Sequence, residues 1–499
     1  MTKNELNEKL DAFIAANRDQ ILKDMVDILR FKTVSPDLTQ TDRTEFERET
    51  DSCLKWVEAR ATDAGFSYGD YERRVAWVHM GTENKFVGLP VHCDVVPVGD
   101  GWTHPPFDGV IDDKGIIWGR GTQDDKGPLV QMYWAMRFLS SLDVPLTHGA
   151  RIIIGTWEEG GSWDEIKLYA SKAPEAAICV VADAEFPIIN AEKGLLSVKV
   201  STQIPTLVPG NNDTSQIQSL AYLKSMSAGT RVNVVPDTAE AVFARVTDRE
   251  LEKTRAALTH YTALTKGASS ELLTPEPGTM VVRFIGKPAH GSTPTLGHNA
   301  AVDLLGFLSN SSILTRQERV FSRALSQAGA DTSGCWLCVS DAHPVVGATT
   351  VNLGLLSWEN GQVAATFNIR PTLGQKPEEL RKIIENRFSA LSKNLKLTIT
   401  VETVGKTMEA ILTPEEKFSS YLEAMRDAYE NVTGRKAEYR SMGGTTYAKA
   451  FTNAVCFGPV DSTDDGGELA HQVNERISID VMLRNVRIYS LMLAQICTH

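Results

Sequence analysis

The pattern of hydrophobic and polar positions changes twice along the chain, which predicts its domain organisation. Before residue 197, short apolar runs such as VAWVHM, KFVGLPVHCDVV and AAICVVADA alternate with amphipathic segments such as PLVQMYWAMRFLSSL. The middle part is β-rich, with MVVRFIG and QVAATFNIR, before a long amphipathic helix and a buried strand resume. We predict an α/β fold with a mixed central sheet flanked by helices (1–196 and 408–499), interrupted by an inserted α+β domain (197–407).

Length and charge narrow the class of protein. At 499 residues the chain is too long for one hydrophobic core and suits two or three domains. A formal net charge of -12, without clustered Lys and Arg, argues against a nucleic-acid partner. No apolar run approaches the roughly 18 residues that a membrane span requires, and the N-terminal segment has the pattern of a helix rather than of a secretion signal. We expect a cytoplasmic protein without a membrane partner.

The seven cysteines do not suggest a disulfide framework in a chain of this length. Cys335 and Cys338 form the one close pair, in CWLC. A zinc knuckle would need a second pair, and a redox pair would fit better beside a thioredoxin-like βαβ unit. We interpret them as two ordinary thiols in a strand.

Two motifs in the first part of the chain combine residue types that bind metals. His92 and Asp94 are two residues apart, so a strand would place both on one face, where the carboxylate can orient the imidazole toward a metal. Asp124 and Asp125 lie at a glycine-rich turn that opens a helix. The alternative there is a simple interaction of the two acids with the helix dipole.

Further carboxylates end the next two strands. Glu158 and Glu159 follow one of them, where a solvated turn is the alternative, and Asp183 ends the other. His471, in HQVNE, would by itself be a surface residue. Taken together, two histidines and three carboxylates, with a fourth beside them, fit a two-metal hydrolytic site. The charges of Asp124, Asp183, Glu159 and one hydroxide would balance those of two divalent ions.

The order of these motifs resembles that of the dinuclear-zinc exopeptidases, the family that includes bacterial dipeptidase V, the carnosinases, aminoacylase-1 and glutamate carboxypeptidase. The matching motifs are HCDVVP, GRGTQDDKGP, WEEGG, ADAEFPIINAEKG and HQVNE. Two stretches, DAEFPIIN-EKG and MGGTTYAKAF, most resemble the dipeptidase V branch.

The resemblance implies which residues bind metal. His92 and Asp183 would bind one divalent ion, Glu159 and His471 would bind the other, and Asp124 would bridge the two. Zn is the expected metal, and Mn or Co would fit the same donors.

The resemblance also implies the catalytic roles. Glu158 would be the general base on a water that bridges the two metals, and Asp94 would orient His92. The peptide bond between Asp124 and Asp125 would be cis, which is costly outside proline and therefore a sharp structural test.

In this family the inserted domain is a lid over the substrate. His290 would help to polarise the scissile carbonyl. The remaining substrate contacts would come from Asn233, Arg370, Gly443, Gly444 and Thr445. Because the insertion is larger than the version through which related chains dimerise, we expect a monomer, with a homodimer as the alternative.

The predicted function is hydrolysis of dipeptides by a dinuclear metallo-dipeptidase. An N-acyl-amino-acid amidohydrolase or a metallocarboxypeptidase is the enzymatic alternative, because it would use the same metal site with a different pocket. A metal-binding scaffold is the non-enzymatic alternative. It is disfavoured because a scaffold would need the metal ligands but not Glu158.

Overall fold

The computed structural model describes residues 2–36, 40–160, 162–205, 221–464 and 466–498. The chain divides into two compact units. The first unit comprises 1–191, 412–441 and 445–499, and the second comprises 192–411 and 442–444. Compared with the predicted inserted domain, 197–407, the second unit begins slightly earlier and ends slightly later, and it also includes a short loop from the C-terminal part.

The helices of the described residues follow the amphipathic segments of the sequence. None of these helices is both long and apolar enough to cross a membrane. They are α1 (Lys3–Leu29), α2 (Thr44–Asp63), α3 (Lys126–Ser141), α4 (Asp164–Lys172), α5 (Asp248–Leu264), α6 (Ala300–Leu308), α7 (Arg316–Ala330), α8 (Pro377–Leu395), α9 (Ser419–Thr433) and α10 (Ile479–Thr498).

The strands alternate with these helices in the first part of the chain and become more frequent in the middle. They are β1 (Ser67–Tyr71), β2 (Val75–Met80), β3 (Phe86–His92), β4 (Val110–Ile111), β5 (Ile116–Trp118), β6 (Gly149–Gly155), β7 (Ile178–Val181), β8 (Ala184–Glu185), β9 (Ile188–Glu192), β10 (Leu196–Gln203), β11 (Tyr222–Ala228), β12 (Thr238–Ala244), β13 (Ser269–Leu273), β14 (Thr279–Ile285), β15 (Ala342–His343), β16 (Gly347–Ala348), β17 (Thr350–Glu359), β18 (Gln362–Arg370), β19 (Ile399–Thr403), β20 (Ile411–Leu412), β21 (Tyr439–Met442), β22 (Ala454–Cys456), β23 (Pro459–Val460) and β24 (Arg476–Ser478).

The central sheet of the first unit is mixed. Its strands run in the order β1-β2-β6-β3-β7-β22-β9. The four central strands are parallel, and the outer ones pair antiparallel with their neighbours. Apolar side chains of α1, α2, α3, α9 and α10 form one hydrophobic core with this sheet. The predicted mixed sheet flanked by helices is therefore confirmed.

Strand β3 shows how the sheet positions a functional side chain. All of its residues are buried, as a strand covered on both faces requires. Leu89 and Val91 belong to the helical core, whereas the His92 ring lies against Tyr447, with ring centroids 6.2 Å apart. Because the neighbouring strands β6 and β7 run parallel to β3, the residues that follow them meet His92 at one edge of the sheet.

The second unit is an eight-stranded antiparallel sheet with helices α5 to α8. The strand order is β13-β14-β12-β11-β17-β18-β10-β19. Strands β17 and β18 form a hairpin through Asn360 and Gly361, which have φ of 51° and 79°. Two consecutive positive φ angles are what the tight two-residue hairpin turn needs, and an Asn-Gly pair adopts them readily. This unit has its own hydrophobic core.

Cys335 and Cys338 lie in a turn, so the predicted strand is wrong. Both thiols are exposed, and the Cys338 N–H donates to the Cys335 carbonyl at 3.0 Å. The cause is local: the carboxylate of Asp331 accepts the backbone N–H groups of Ser333 and Trp336, which closes the chain into successive turns.

Candidate functional site

Asp124 lies between the two predicted histidine ligands. Its Oδ1 is 2.9 Å from His92 Nε2, and its Oδ2 is 3.1 Å from His471 Nε2. Each carboxylate oxygen therefore faces a different imidazole. This is the arrangement that a carboxylate shared between two cations needs.

The other two predicted ligands extend this cluster on either side. Asp183 Oδ2 is 3.9 Å from His92 Nε2, and Glu159 Oε1 is 2.9 Å from His471 Nε2. The donor atoms of His92, Asp124 and Glu159 all lie within 4.8 Å of one another. The structure thus brings the five predicted ligands together as two groups that share Asp124.

The donor atoms at the centre of the cluster fit divalent cations. His92 Nε2 and Asp124 Oδ1 are both buried and 2.9 Å apart, yet neither forms a hydrogen bond within the part of the chain that the structure describes. Buried polar atoms without partners are unfavourable, so this pair points to a ligand that both atoms share. Imidazole nitrogen and carboxylate oxygen together suit Zn, Mn or Co.

The electrostatics of the cluster show an excess of negative charge. Loss of solvent contact lowers the pKa of His471, but contacts with Asp124 and Glu159 outweigh this and raise it to about 11. Burial raises the pKa of Glu159 to about 7, and the charge of Asp124 adds to the effect. Burial also opposes ionisation of Asp124, yet its contacts with His471 and His92 hold its pKa well below the usual range. Cations would balance this charge.

Glu158 is beside the ligand cluster, and no ion pair joins it to a His, Lys or Arg among the described residues. Burial raises the pKa of its carboxyl well above the usual range, and the charges of Glu159, Asp94 and Asp124 raise it further, against the opposing effect of His92. The indole N–H of Trp163 donates to the Glu158 carbonyl at 2.9 Å, which helps to hold the backbone. A raised pKa makes this carboxylate a stronger proton acceptor than an exposed glutamate.

Asp94 contacts both His92 and the glutamate turn. Strand β3 ends at His92, and the Asp94 carbonyl oxygen is 3.0 Å from His92 Nδ1, whereas its carboxylate is 3.4 Å away. That carboxylate instead accepts the backbone N–H groups of Glu158 at 2.9 Å and Glu159 at 3.0 Å. The side chain therefore positions the turn, and both the carbonyl and the carboxylate of Asp94 lie near the imidazole.

The peptide bond between Asp124 and Asp125 is cis, as the resemblance predicted. Asp125 also has a contact that sequence reasoning missed. Its Oδ2 accepts the backbone N–H of His92 at 3.0 Å. The turn that carries Asp124 is thereby joined to the end of β3.

Tyr447 is a second residue that sequence reasoning missed, although it lies in the MGGTTYAKAF motif. Its hydroxyl donates to the buried Glu165 carboxylate at 2.6 Å, and its ring packs edge-on against His92. A Cβ added at Gly155 would lie 2.0 Å from the Tyr447 hydroxyl, so only glycine fits at the end of β6. Tyr447 thus supports His92 on the face opposite the helical core.

The predicted substrate contacts of the second unit lie close together within that unit. The Gly291 N–H donates to the Asn233 carbonyl at 2.6 Å, next to His290. Arg370 donates to the Asn368 side chain at 3.1 Å and to the Gly443 carbonyl at 3.0 Å. Gly444 also belongs to this unit.

Thr445 is the one predicted substrate contact in the first unit. Its hydroxyl is buried and has no hydrogen-bond partner among the residues described. This leaves a polar atom available to a ligand.

His290 is held in one tautomer by its neighbour. The backbone N–H of Ser292 donates to His290 Nδ1 at 3.3 Å, and the Ser292 hydroxyl is 2.6 Å from the same nitrogen. Because Nδ1 accepts, the ring proton of the neutral imidazole lies on Nε2. His290 therefore presents an N–H donor, which is what polarising a carbonyl requires.

Arg370 lines a cavity of about 790 Å³ within the second unit. Its side chain is 4% exposed, and no carboxylate forms an ion pair with it among the described residues. Burial lowers its pKa to about 10, so it stays charged at neutral pH. The lining also includes Lys199, Lys406 and Asn233 but no acidic residue. The cavity suits an anionic group.

The mixed sheet, the inserted antiparallel domain and the cluster of histidines and carboxylates define a hydrolytic enzyme. The chain belongs to peptidase family M20/M25/M40, whose family model matches residues 88–495. The resemblance seen in the sequence motifs is thereby confirmed, and the protein is a peptidase.

Individual relatives are similar over nearly the whole chain. "Putative dipeptidase YtjP" of Bacillus subtilis (strain 168) is 28% identical over 479 residues, covering 96% of this chain and 97% of the relative. The Beta-Ala-Xaa dipeptidase of Lactobacillus delbrueckii subsp. lactis is 27% identical over 479 residues, covering 95% of each. The solved structure of the dipeptidase Dug1p from Saccharomyces cerevisiae matches with a TM-score of 0.58 at 16% identity, covering 99% of both chains, which shows a shared fold.

Proposed function

We propose that this peptidase is a dinuclear metal-dependent dipeptidase. One observation carries the proposal: the two oxygens of Asp124 face different histidines, His92 at 2.9 Å and His471 at 3.1 Å. A single-metal site would not need a carboxylate in this position. The similarity to the Beta-Ala-Xaa dipeptidase of Lactobacillus delbrueckii supports dipeptides as the substrate class.

The metal-binding role of each residue follows from its neighbours. His92 and Asp183 would hold one ion, and His471 and Glu159 the other, because each pair lies together on one side of Asp124. When bound, two divalent ions neutralise the carboxylates and lower the pKa of a water molecule.

Glu158 is the proposed general base. Its carboxylate adjoins the ligand cluster but is not one of the proposed ligands, and Asp94 fixes its backbone. Glu158 accepts a proton from the attacking water and then returns it to the nitrogen of the leaving amine. Burial raises the pKa of Glu158, which favours uptake of the proton from water.

The second unit would bind and polarise the substrate. His290 would donate from Nε2 to the carbonyl oxygen as negative charge develops on it, which its tautomer allows. Arg370 is a buried cation without an acidic partner in the described part of the chain, and it would pair with the substrate carboxylate.

A substrate panel tests the proposal directly. The metal-loaded protein is assayed with dipeptides, their N-acetylated forms and longer peptides that share the same C-terminal residue. We expect free dipeptides to have the highest kcat/KM. A preference for the N-acetylated substrates would instead identify an N-acyl-amino-acid amidohydrolase, and efficient cleavage of long peptides would identify a carboxypeptidase.

A further inference from the structure

Glu475 is a buried carboxylate beneath the loop that carries Asp124. Its Oε1 accepts the backbone N–H groups of Gln123 at 2.8 Å, Gly121 at 3.1 Å and Asp124 at 3.3 Å. Its Oε2 accepts from the Arg120 guanidinium at 2.7 Å. One side chain thus accepts three of the backbone N–H groups of residues 121–124.

The ion pair between Glu475 and Arg120 is fully buried. The two side chains are 0% and 1% exposed. The Arg120 guanidinium also lies over the Trp102 ring, 5.3 Å from its centroid, which adds a second contact that holds it. A buried ion pair contributes little net stability to a fold. A role in positioning the loop would explain why the pair is present here.

The loop contains a residue whose backbone conformation favours glycine. Gly121 has φ of 95°, a conformation that glycine adopts but that leaves the chain many alternatives. The backbone N–H of Gly119 also donates to the Glu475 carbonyl, at 3.1 Å. Both ends of the loop are therefore tied to one residue, which lies four positions after His471.

We propose that Glu475 is a positioning residue that sets the place of Asp124 between His92 and His471. By binding the loop of one motif from within the motif of His471, it joins two segments that supply metal ligands. This inference rests on the proposed metal centre. Glu475 itself would contact neither substrate nor metal. It would act on the site only through the backbone of residues 121–124.

The test uses the full-length protein with Glu475→Gln and Glu475→Asp. Gln keeps the shape but offers one acceptor oxygen and places an amide N–H₂ against either Arg120 or the backbone donors. Asp keeps the charge but withdraws the carboxylate by one methylene. After removal of metal with a chelator, each apoprotein is titrated with Zn²⁺ by calorimetry. We expect Zn²⁺ affinity to fall by about 10–100-fold, as for other residues that orient ligands.

A second readout separates positioning from general destabilisation. Co²⁺ bound at saturation reports ligand geometry through its visible absorption spectrum. Displacement of Asp124 should change this spectrum in both Glu475 variants, even when the site is full. A purely structural role would lower thermal stability and leave the spectrum as in the wild type.

Asp24→Asn is the matched control. Asp24 is also a fully buried carboxylate of the first unit, accepting from the Trp134 indole at 3.0 Å and lying 3.7 Å from Arg60. Its loss should lower the unfolding temperature while leaving Zn²⁺ affinity and the Co²⁺ spectrum unchanged.

The outcomes distinguish this inference from the proposed function. Wild-type metal affinity and spectrum in a folded Glu475→Gln or Glu475→Asp protein would overturn the role of Glu475 and leave the metal centre standing. If Glu475→Gln does not fold, Glu475→Asp decides, because it keeps the charge opposite Arg120. A wild-type protein that binds no divalent metal would overturn both. A wild-type protein that binds metal without cleaving dipeptides would overturn only the substrate assignment.

Discussion

The side chain of Asp94 positions the backbone of Glu158: Asp94 Oδ1 accepts the Glu158 N–H at 2.9 Å. Its other oxygen accepts the N–H of Glu159 at 3.0 Å, and its carbonyl lies 3.0 Å from His92 Nδ1. One residue therefore connects the first predicted ligand with the proposed base and with the ligand next to it. Both proposed roles, metal binding and proton transfer, depend on the same buried carboxylate.

Replacing Asp94 with Asn should damage activity more than stability. The carboxamide has one acceptor oxygen, so it can serve only one of the two N–H groups and turns a donor toward the other. We expect kcat/KM to fall by about 10–100-fold. Steady-state kinetics at saturating metal measure this.

Asp331→Asn is the control for that variant. Asp331 also accepts two backbone N–H groups, one on each oxygen, but in a turn of the second unit. Its replacement should leave kcat/KM near the wild-type value. Equal losses in the two variants would contradict a specific role for Asp94.

Mutation should distinguish the roles of Glu158 and Glu159, although the two residues are adjacent. Glu158→Gln removes the proposed base and keeps the ligands, so kcat should fall by about 10²–10⁴-fold while metal content stays at the wild-type level. Glu159→Gln removes a proposed ligand, so metal content should fall with activity. Elemental analysis beside kinetics distinguishes the two. Retained activity in Glu158→Gln would show that another group moves the proton.

Much of the candidate site could be predicted because its residues follow apolar strands. A polar side chain at the end of a buried strand stands out in the sequence, as His92 and Asp183 do. Parallel strands then bring such ends to one edge. His471 had no such signal, because it lies in a loop with φ of 63° and is 46% exposed. Only the order of motifs pointed to it.

The positioning contacts could not be predicted for a different reason. Glu475 contacts residues about 350 positions earlier in the chain, such as Gln123, and no periodicity links such distant segments. The hydrogen bonds from the Glu158 and Glu159 N–H groups to Asp94 could not be predicted either, because they join segments more than 60 residues apart. The contacts of Glu475 and of Asp94 both depend on tertiary packing, which the local sequence pattern does not report.

Metal removal should affect stability as well as activity. The ligand cluster holds several carboxylates close together, and without cations the two histidines relieve only part of their repulsion. Chelation should abolish hydrolysis, and Zn²⁺, Mn²⁺ or Co²⁺ should restore it. At a free metal concentration 100 times the Kd, each bound ion should add about 2.7 kcal/mol to the free energy of unfolding. Thermal unfolding of chelated and reloaded protein measures the shift, and identical curves with unchanged activity would argue against a metal centre.

His290 should affect the chemical step rather than substrate binding. Its Nε2–H would donate to the carbonyl oxygen mainly as charge develops, so His290→Ala should lower kcat by about 10²–10³-fold with little change in KM. His290→Gln retains an N–H donor and should recover part of the loss. His260, an exposed histidine of helix α5, provides the control, and His260→Ala should behave as the wild type. A KM effect alone would place His290 in binding instead.

Arg370 should discriminate between substrates with and without a free C-terminal carboxylate. Its guanidinium donates to the Gly443 carbonyl and has no acidic partner in the described chain, so the proposed partner is the substrate. Arg370→Met keeps an apolar stem but removes the charge. Loss of a charged hydrogen bond costs about 1.5–3 kcal/mol, roughly a 10–150-fold fall in kcat/KM for free dipeptides. Dipeptide amides lack the carboxylate and should lose much less. An equal loss for both substrate forms would show that Arg370 maintains the fold of the second unit and does not bind the carboxylate.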